Sequence, residues 1–234
     1  MEPLRLRDDD SVLAVVAHPD DMEYGASAAV AAWTEAGIAV GYLLLTGGEH
    51  GIAGGDPAEV RRIRAGEQRE ACRTVGVEDL EILDFEDGLL EHTLELREVI
   101  ARKIRAFKPT VILTQNFDVV APWGLNQADH RVAGLAALDA ARDAGNEFLF
   151  TDAGPRHQAR LLLVSGAAEP DVAVEVEQRH VDLGAASLDA HEAYFSALPG
   201  HPSGAELVGG VAQGGGEALG AGTGLAIPFK AFEL

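Results

Sequence analysis

Three side chains with metal-ligand chemistry, His18, Asp20 and Asp21, fall within the stretch VVAHPDDMEYG, residues 15–25. They come straight off an apolar run, and burying such a cluster without a partner is costly. An imidazole and a carboxylate this close can hold one small cation. That pair suits zinc, with ligand distances of roughly 2.0–2.2 Å. Two ligands leave a partial site, and His130, in GLNQADHRVAG, residues 124–134, is the best third donor. Three protein ligands and an open position are the pattern of a catalytic zinc site, which brings the pKa of its water to about 7. Asp20 neighbours Asp21 and can point differently, taking up the water's proton. The plain structural account of a lone HPDD is a turn followed by an Asp helix cap. A strand before it, a helix after it and a second Asp-His pair after another strand weigh against that account.

The elements must bring these segments together. Residues 11–17, SVLAVVA, read as a strand buried on both faces. A helix is expected over 22–36, stopped by Gly37, then a strand over 38–45 and a glycine-rich loop, TGGEHGIAGGDP, long enough to have a function. Asp56 caps a helix with Pro57 in its first turn, running to about Val75 and stopping at Gly76. A short strand near LEILDF, a turn at Asp87-Gly88, a helix over 94–107 and a strand over 110–115 follow. Further helices are expected over 127–142 and 178–197, with strands at 161–166 and 171–176. Strands alternating with helices imply a mostly parallel sheet. In such a sheet ligands bind beyond the carboxyl ends of the strands, where His18, Asp21 and His130 all fall. Residues 204–224 are so rich in glycine that a loop-rich surface segment is expected there, before a last element, LAIPFKAFEL. One domain over 1–234 is the simplest organisation.

Composition narrows the function. The chain has 234 residues, 47% of them hydrophobic, enough for one α/β core. No apolar run approaches the roughly 18 residues of a membrane span. The start, MEPLRLRDDD, lacks a signal-peptide core, so a cytoplasmic protein is expected. Cys72 stands alone and reads as a small buried hydrophobe. A formal net charge of −20 argues against nucleic acid and anionic membranes as partners. No G-x-G-x-x-G follows the first strand, no P-loop occurs, and LLLVSG has Leu163 where a serine hydrolase needs glycine.

Ala17-His18-Pro19-Asp20-Asp21 and Gln127-Ala128-Asp129-His130 resemble the two hallmarks of the PIG-L/LmbE-like de-N-acetylases, A-H-P-D-D-E and H-x-D-H. LTGGEHG at 45–51, RAGEQREACRTVGV at 64–77, LDFEDGLL at 83–90 and AHEAYFSAL at 190–198 are similar to later segments of that family, in order. The resemblance implies a Rossmann-like three-layer α/β sandwich and zinc-dependent removal of an N-acyl group, commonly acetyl from an amino sugar. It implies His18, Asp21 and His130 as zinc ligands and Asp20 as general base, then acid. Arg64 and Asp87 would contact substrate, and Asp129 would orient its neighbours. Two departures stand out. Gln127 replaces the histidine that helps hold the oxyanion; its amide can donate a hydrogen bond but no proton. Gly47 replaces an aspartate. His191 is the candidate to substitute for the missing imidazole.

The expected function is therefore a zinc-dependent N-deacetylase acting on a small-molecule N-acylated sugar or glycoconjugate. A metal-retaining sugar-binding protein and a metal hydrolase of another amide or ester remain alternatives. The donor set also accepts iron, cobalt or manganese, and a homo-oligomer is compatible with the sequence. Without the resemblance, Arg64 and Glu67 read as a surface ion pair, Asp87 as a turn residue and His50 as a solvent-facing loop histidine. Trp123 reads equally as a sugar-stacking wall and as half-buried packing.

Overall fold

The computed structural model describes residues 1–220 and 224–234. A two-residue edge strand, β1 (Glu2–Pro3), precedes β2 (Ser11–Val16), α1 (Ser27–Glu35), β3 (Ala39–Thr46), α2 (Pro57–Thr74), β4 (Asp79–Phe85), α3 (Leu94–Phe107) and β5 (Val111–Gln115). A small hairpin, β6 (Val120–Ala121) and β7 (Gly124–Leu125), leads into α4 (Ala128–Gly145). The chain continues through β8 (Leu161–Ser165), β9 (Val172–Val176), α5 (Gln178–Asp189), α6 (Glu192–Ser196), α7 (Gly204–Leu219) and β10 (Leu225–Glu233).

Eight strands form one sheet in the order β1-β9-β10-β8-β5-β2-β3-β4. Every pairing is parallel except those of β10, which runs antiparallel to β8 and β9. This is the expected Rossmann-like sandwich. The apolar runs serve both faces at once. Val12, Ala14 and Val16 of β2 pack with α1, α5 and α7, while Leu13 and Val15 pack with α3 and α4. The chain steps outward from β2 to β3 and β4, then crosses back to β5 and β8. The carboxyl ends of β2 and β5 therefore flank a switch point, where such sheets bind ligands. No helix among the described residues is long and apolar enough to cross a membrane.

Local chemistry sets several boundaries. Asp56 accepts the Glu59 amide at 3.1 Å with Pro57 beside it, as expected. The helix expected over 22–36 forms only from Ser27, because residues 20–24 close a tight hydrogen-bonded turn. The single helix expected over 178–197 breaks at Ala190-His191, where His191 turns inward against Phe195.

The loop-rich segment expected over 204–224 is instead a regular helix over Gly204–Leu219; residues 221–223 lie outside the described ones. Ser203 and Glu206 form a capping box at its start. Its glycines allow close approach. A Cβ on Gly215 would lie 2.0 Å from the Ala226 carbonyl, and one on Gly204 2.3 Å from the Ala185 carbonyl. Each glycine costs about 1 kcal/mol of helix propensity, a penalty offset by packing that no larger residue permits. Gly215→Ala should therefore destabilise the fold by about 1–3 kcal/mol, read as a lower Tm. Gly210→Ala, with nothing within 4 Å, should stabilise it by up to about 1 kcal/mol.

The amino end of the sheet is tied at Asp10. Its carboxylate accepts from Thr110 Oγ1 at 2.6 Å, the Arg7 amide at 2.8 Å, and Arg160 through Nε at 3.1 Å and through Nη2, linking the entries to β2, β5 and β8. Burial alone would raise the Asp10 carboxyl, but Arg160, Thr110 and the Arg7 amide hold it at about 2, against an ordinary 3.8. A depressed carboxyl stabilises the fold fully above its unfolded value and loses that effect as pH falls through the folded value. Asp10→Asn should cost on the order of 2 kcal/mol at neutral pH. It should also flatten the stability profile between about pH 4 and pH 2, measured by denaturant midpoints across that window.

Candidate metal centre

The carboxyl end of β2 continues into a turn held by a set of specific hydrogen bonds. Thr46, at the end of β3, sends both its amide (2.9 Å) and its hydroxyl (3.0 Å) to the Ala17 carbonyl. The His18 amide donates to Asp21 Oδ2 at 2.7 Å. Asp20 sits at φ 87°, in the left-handed region. A non-glycine residue held in such a conformation costs about 1–3 kcal/mol, so neighbours must impose it. They do. The Asp20 amide donates to Gln68 Oε1 at 2.9 Å, and the Asp20 carbonyl accepts the Glu23 amide at 2.9 Å. Arg64 donates to Pro19 O at 2.6 Å and to Asp20 Oδ2 at 3.0 Å.

Three donors converge on one point. His130 Nε2 lies 3.2 Å from Asp21 Oδ1, and His18 Nδ1 lies 3.8 Å from Asp21 Oδ2. One ligand atom from each of the three lies within 4.8 Å of the others. Atoms held this way can share one ion at roughly 2.0–2.2 Å from each. The outward nitrogens give the independent test of fit. His18 Nε2 faces Asp87 Oδ1 at 3.0 Å and Asp129 Oδ2 at 3.2 Å, while His130 Nδ1 faces Asn126 Oδ1 at 3.0 Å. Each ring is thus positioned to donate its far N–H to an oxygen and turn its other lone pair inward, the usual support of a metal-binding histidine. Asp129 is itself pinned, accepting the Gly88 amide at 2.7 Å and the Leu90 amide at 3.2 Å. His18, Asp87 and Asp129 form a second close group. Its contacts run through the outward nitrogen, so it reads as the support of the first.

The electrostatics follow from burial. Burial raises the Asp20 carboxyl to about 7, with Asp21 adding to the rise and Arg64 opposing it. Burial pulls Asp21 the same way, but His130 and His18 outweigh it and hold that carboxyl well below the usual range. Burial disfavours charged His18, yet Asp129, Asp21 and Asp87 together raise it well above its ordinary value. Adjacent aspartates thus diverge, one held ionised against two imidazoles and the other inclined to carry a proton.

The remaining expected residues fall in different places. Arg64 is 2% exposed, donates also to Gly48 O at 3.0 Å and lies 4.0 Å above the Tyr194 ring. Its charge serves the turn, and it pairs with Asp20 rather than Glu67, which accepts the Ala193 amide. Asp87 accepts the His50 amide at 2.8 Å, so His50 braces it despite being exposed. Gln127 occupies the N-cap position of α4, exposed, its side chain without a hydrogen bond among the described residues. His191 is fully buried behind Glu23, with Nε2 3.8 Å from Glu23 Oε2, and neither ring nitrogen has a hydrogen-bond partner. Trp123 is 57% exposed on the hairpin before α4.

Sequence reasoning missed Asn126, Gln68 and Glu23. Gln68 had a readable signal, standing four residues after Arg64 on the same face of α2. Asn126 had none, yet it joins the hairpin to the metal site. Its amide nitrogen Nδ2 donates to Asn116 O at 2.8 Å and Asp118 O at 3.1 Å, while Oδ1 receives His130 and the Gln127 amide. Asn126→Ala frees the His130 ring, and affinity for a divalent cation at this candidate site should fall about 10–100-fold, measured by competition with a chromophoric chelator.

Comparison with known proteins places this arrangement. The chain is 34% identical over 138 residues to diacetylchitobiose deacetylase of Thermococcus kodakarensis, covering 57% of this chain and 50% of the relative. It is 30% identical over 142 residues to a probable N-acetyl-alpha-D-glucosaminyl L-malate deacetylase 2 of Bacillus anthracis, covering 58% and 61%. The chain therefore spans between half and three fifths of the length of these curated relatives. The solved N,N'-diacetylchitobiose deacetylase of Pyrococcus horikoshii superposes with a TM-score of 0.82 at 20% identity, over 95% of this chain and 84% of that one, which speaks for the fold. More than half of the chain, residues 13–141, matches the family model PIG-L, described as GlcNAc-PI de-N-acetylase, and the chain belongs to that family.

Proposed function

We propose that this protein is a zinc-dependent N-deacetylase of amino-sugar conjugates. The single observation that carries the reading is the convergence of His18, Asp21 and His130 within 4.8 Å, with Asp20 beside them and outside the donor set. Relatives named as deacetylases of chitobiose and GlcNAc-malate supply the substrate class.

His18, Asp21 and His130 would hold a divalent cation, which would supply Lewis-acid chemistry to the site. The rest falls to the chain. Asp20 Oδ2 is engaged by Arg64, whereas Oδ1 has no hydrogen-bond partner among the described residues and is left for the water. Asp20 takes the water's proton as its oxygen bonds to the acyl carbon. It then passes that proton to the amide nitrogen as the carbon–nitrogen bond breaks, leaving a carboxylic acid and a free amine. A carboxyl near neutrality suits both halves of this shuttle. The Gln127 amide is the candidate side-chain donor to the developing oxyanion.

The exposed, unanchored Gln127 side chain favours one second reading, a sugar-binding protein that retains metal but hydrolyses poorly. Amine release from a panel of N-acetylated glucosamine conjugates by the zinc-loaded protein separates the two: tight binding without release selects the second. Asp20→Asn should keep its zinc and lose at least about 100-fold in kcat. Full turnover by that variant, with metal verified by elemental analysis, overturns the assignment of Asp20 as base.

A further inference from the structure

Two buried residues lie under the catalytic turn without belonging to the metal donor set. Gln68 is 1% exposed and Glu23 is 0% exposed. The Gln68 amide is used at both ends: Oε1 accepts the Asp20 amide at 2.9 Å, and Nε2 donates to Glu23 Oε1 at 3.0 Å. The Glu23 amide returns a hydrogen bond to the Asp20 carbonyl at 2.9 Å, closing a ring. Turning the Gln68 amide over would set an NH2 against the Asp20 N–H and an oxygen against the Glu23 oxygen. Both contacts would be lost, so the pair of partners fixes the orientation. The ring closes on the one residue of the turn held at positive φ. Nothing else among the described residues accepts the Asp20 amide.

We propose that Gln68 and Glu23 are positioning residues for Asp20: Glu23 sets the Gln68 amide, and Gln68 holds the Asp20 backbone in the left-handed conformation that aims its carboxylate. The inference rests on Asp20 being the base. Its consequence is a division of labour at the turn. The side chain of Asp20 is oriented by Arg64 and its backbone by Gln68, and only Arg64 among these partners brings charge.

The test compares Gln68→Ala, Gln68→Met, Glu23→Ala and Glu23→Gln in the zinc-loaded full chain. The first three should lose about 10–100-fold in kcat, the range typical of lost outer-shell partners. KM and zinc affinity should stay within about twofold of the parent, since neither residue touches the donor set. Glu23→Gln should restore activity, because its carbonyl still accepts from Gln68. A crystal structure of Gln68→Met should show Asp20 relaxed to negative φ; this volume-conserving variant also serves should Gln68→Ala not fold. Three outcomes overturn the proposal: kcat retained in the Gln68 variants, Asp20 still at positive φ without Gln68, or Glu23→Gln as impaired as Glu23→Ala. A loss of kcat that follows loss of zinc overturns it as well. Asp20→Asn distinguishes the levels: if that variant is fully active the base assignment fails, whereas an inactive Asp20→Asn with intact Gln68 variants removes only the positioning role.

Discussion

The structure depends on burying several acidic side chains at one end of a sheet. Asp20, Glu23, Asp87 and Asp129 are nearly inaccessible, and Asp21 stands among them. Uncompensated carboxylates in such a place are prohibitive. Three kinds of compensation operate. Asp21 is paired with imidazoles, Asp129 receives two backbone amides, and Asp87 accepts from His50 and faces His18. Burial pushes Asp20 and Glu23 up, to about 7 and about 8, which favours the neutral form, while Arg64 pairs with Asp20 and opposes its rise. A divalent cation among His18, Asp21 and His130, the ion of the proposed function, would complete the compensation.

The fold exists around that constraint. The strand order sets β3 and β5 on opposite sides of β2, so the loops after β2 and β5 meet above the sheet although more than a hundred residues separate His18 from His130. The loop after β4 supplies Asp87 and the two amides that hold Asp129. Helix α2 reaches beneath the turn with Arg64 and Gln68, four residues apart and both turned inward. Each element thus contributes at its carboxyl end or inner face, and the two packed layers below keep those ends in register.

The strands were legible because burial on both faces requires continuous apolar runs, and SVLAVVA and TVILTQ have no other economical reading. The candidate donors were legible as a group because His18 and Asp21 are close in sequence and His130 follows a strand end. Other features depend on contacts that linear patterns do not carry. Gln68 meets its partner 48 positions away. Helix α7 defies its composition because its glycines face the Ala185 and Ala226 carbonyls at distances no side chain tolerates. The break between α5 and α6 at Ala190-His191 leaves the His191 ring buried against Glu23.

Gln127 changes what the rest of the site must do. An imidazole there would offer a second group able to gain or lose a proton during the reaction; a glutamine offers only a fixed dipole. In the proposed deacetylation, the proton released by water and the proton needed by the departing amine would then be handled by one side chain, and among the described residues Asp20 is the acid outside the candidate donor set that is joined to the turn by both its backbone and its carboxylate. A single carrier that must face the water in one step and the amine in the next gains nothing from mobility. The proposed role would thus account for Asp20 being held by Arg64 at its carboxylate, Gln68 at its amide and Glu23 at its carbonyl, in a backbone conformation it would not adopt alone.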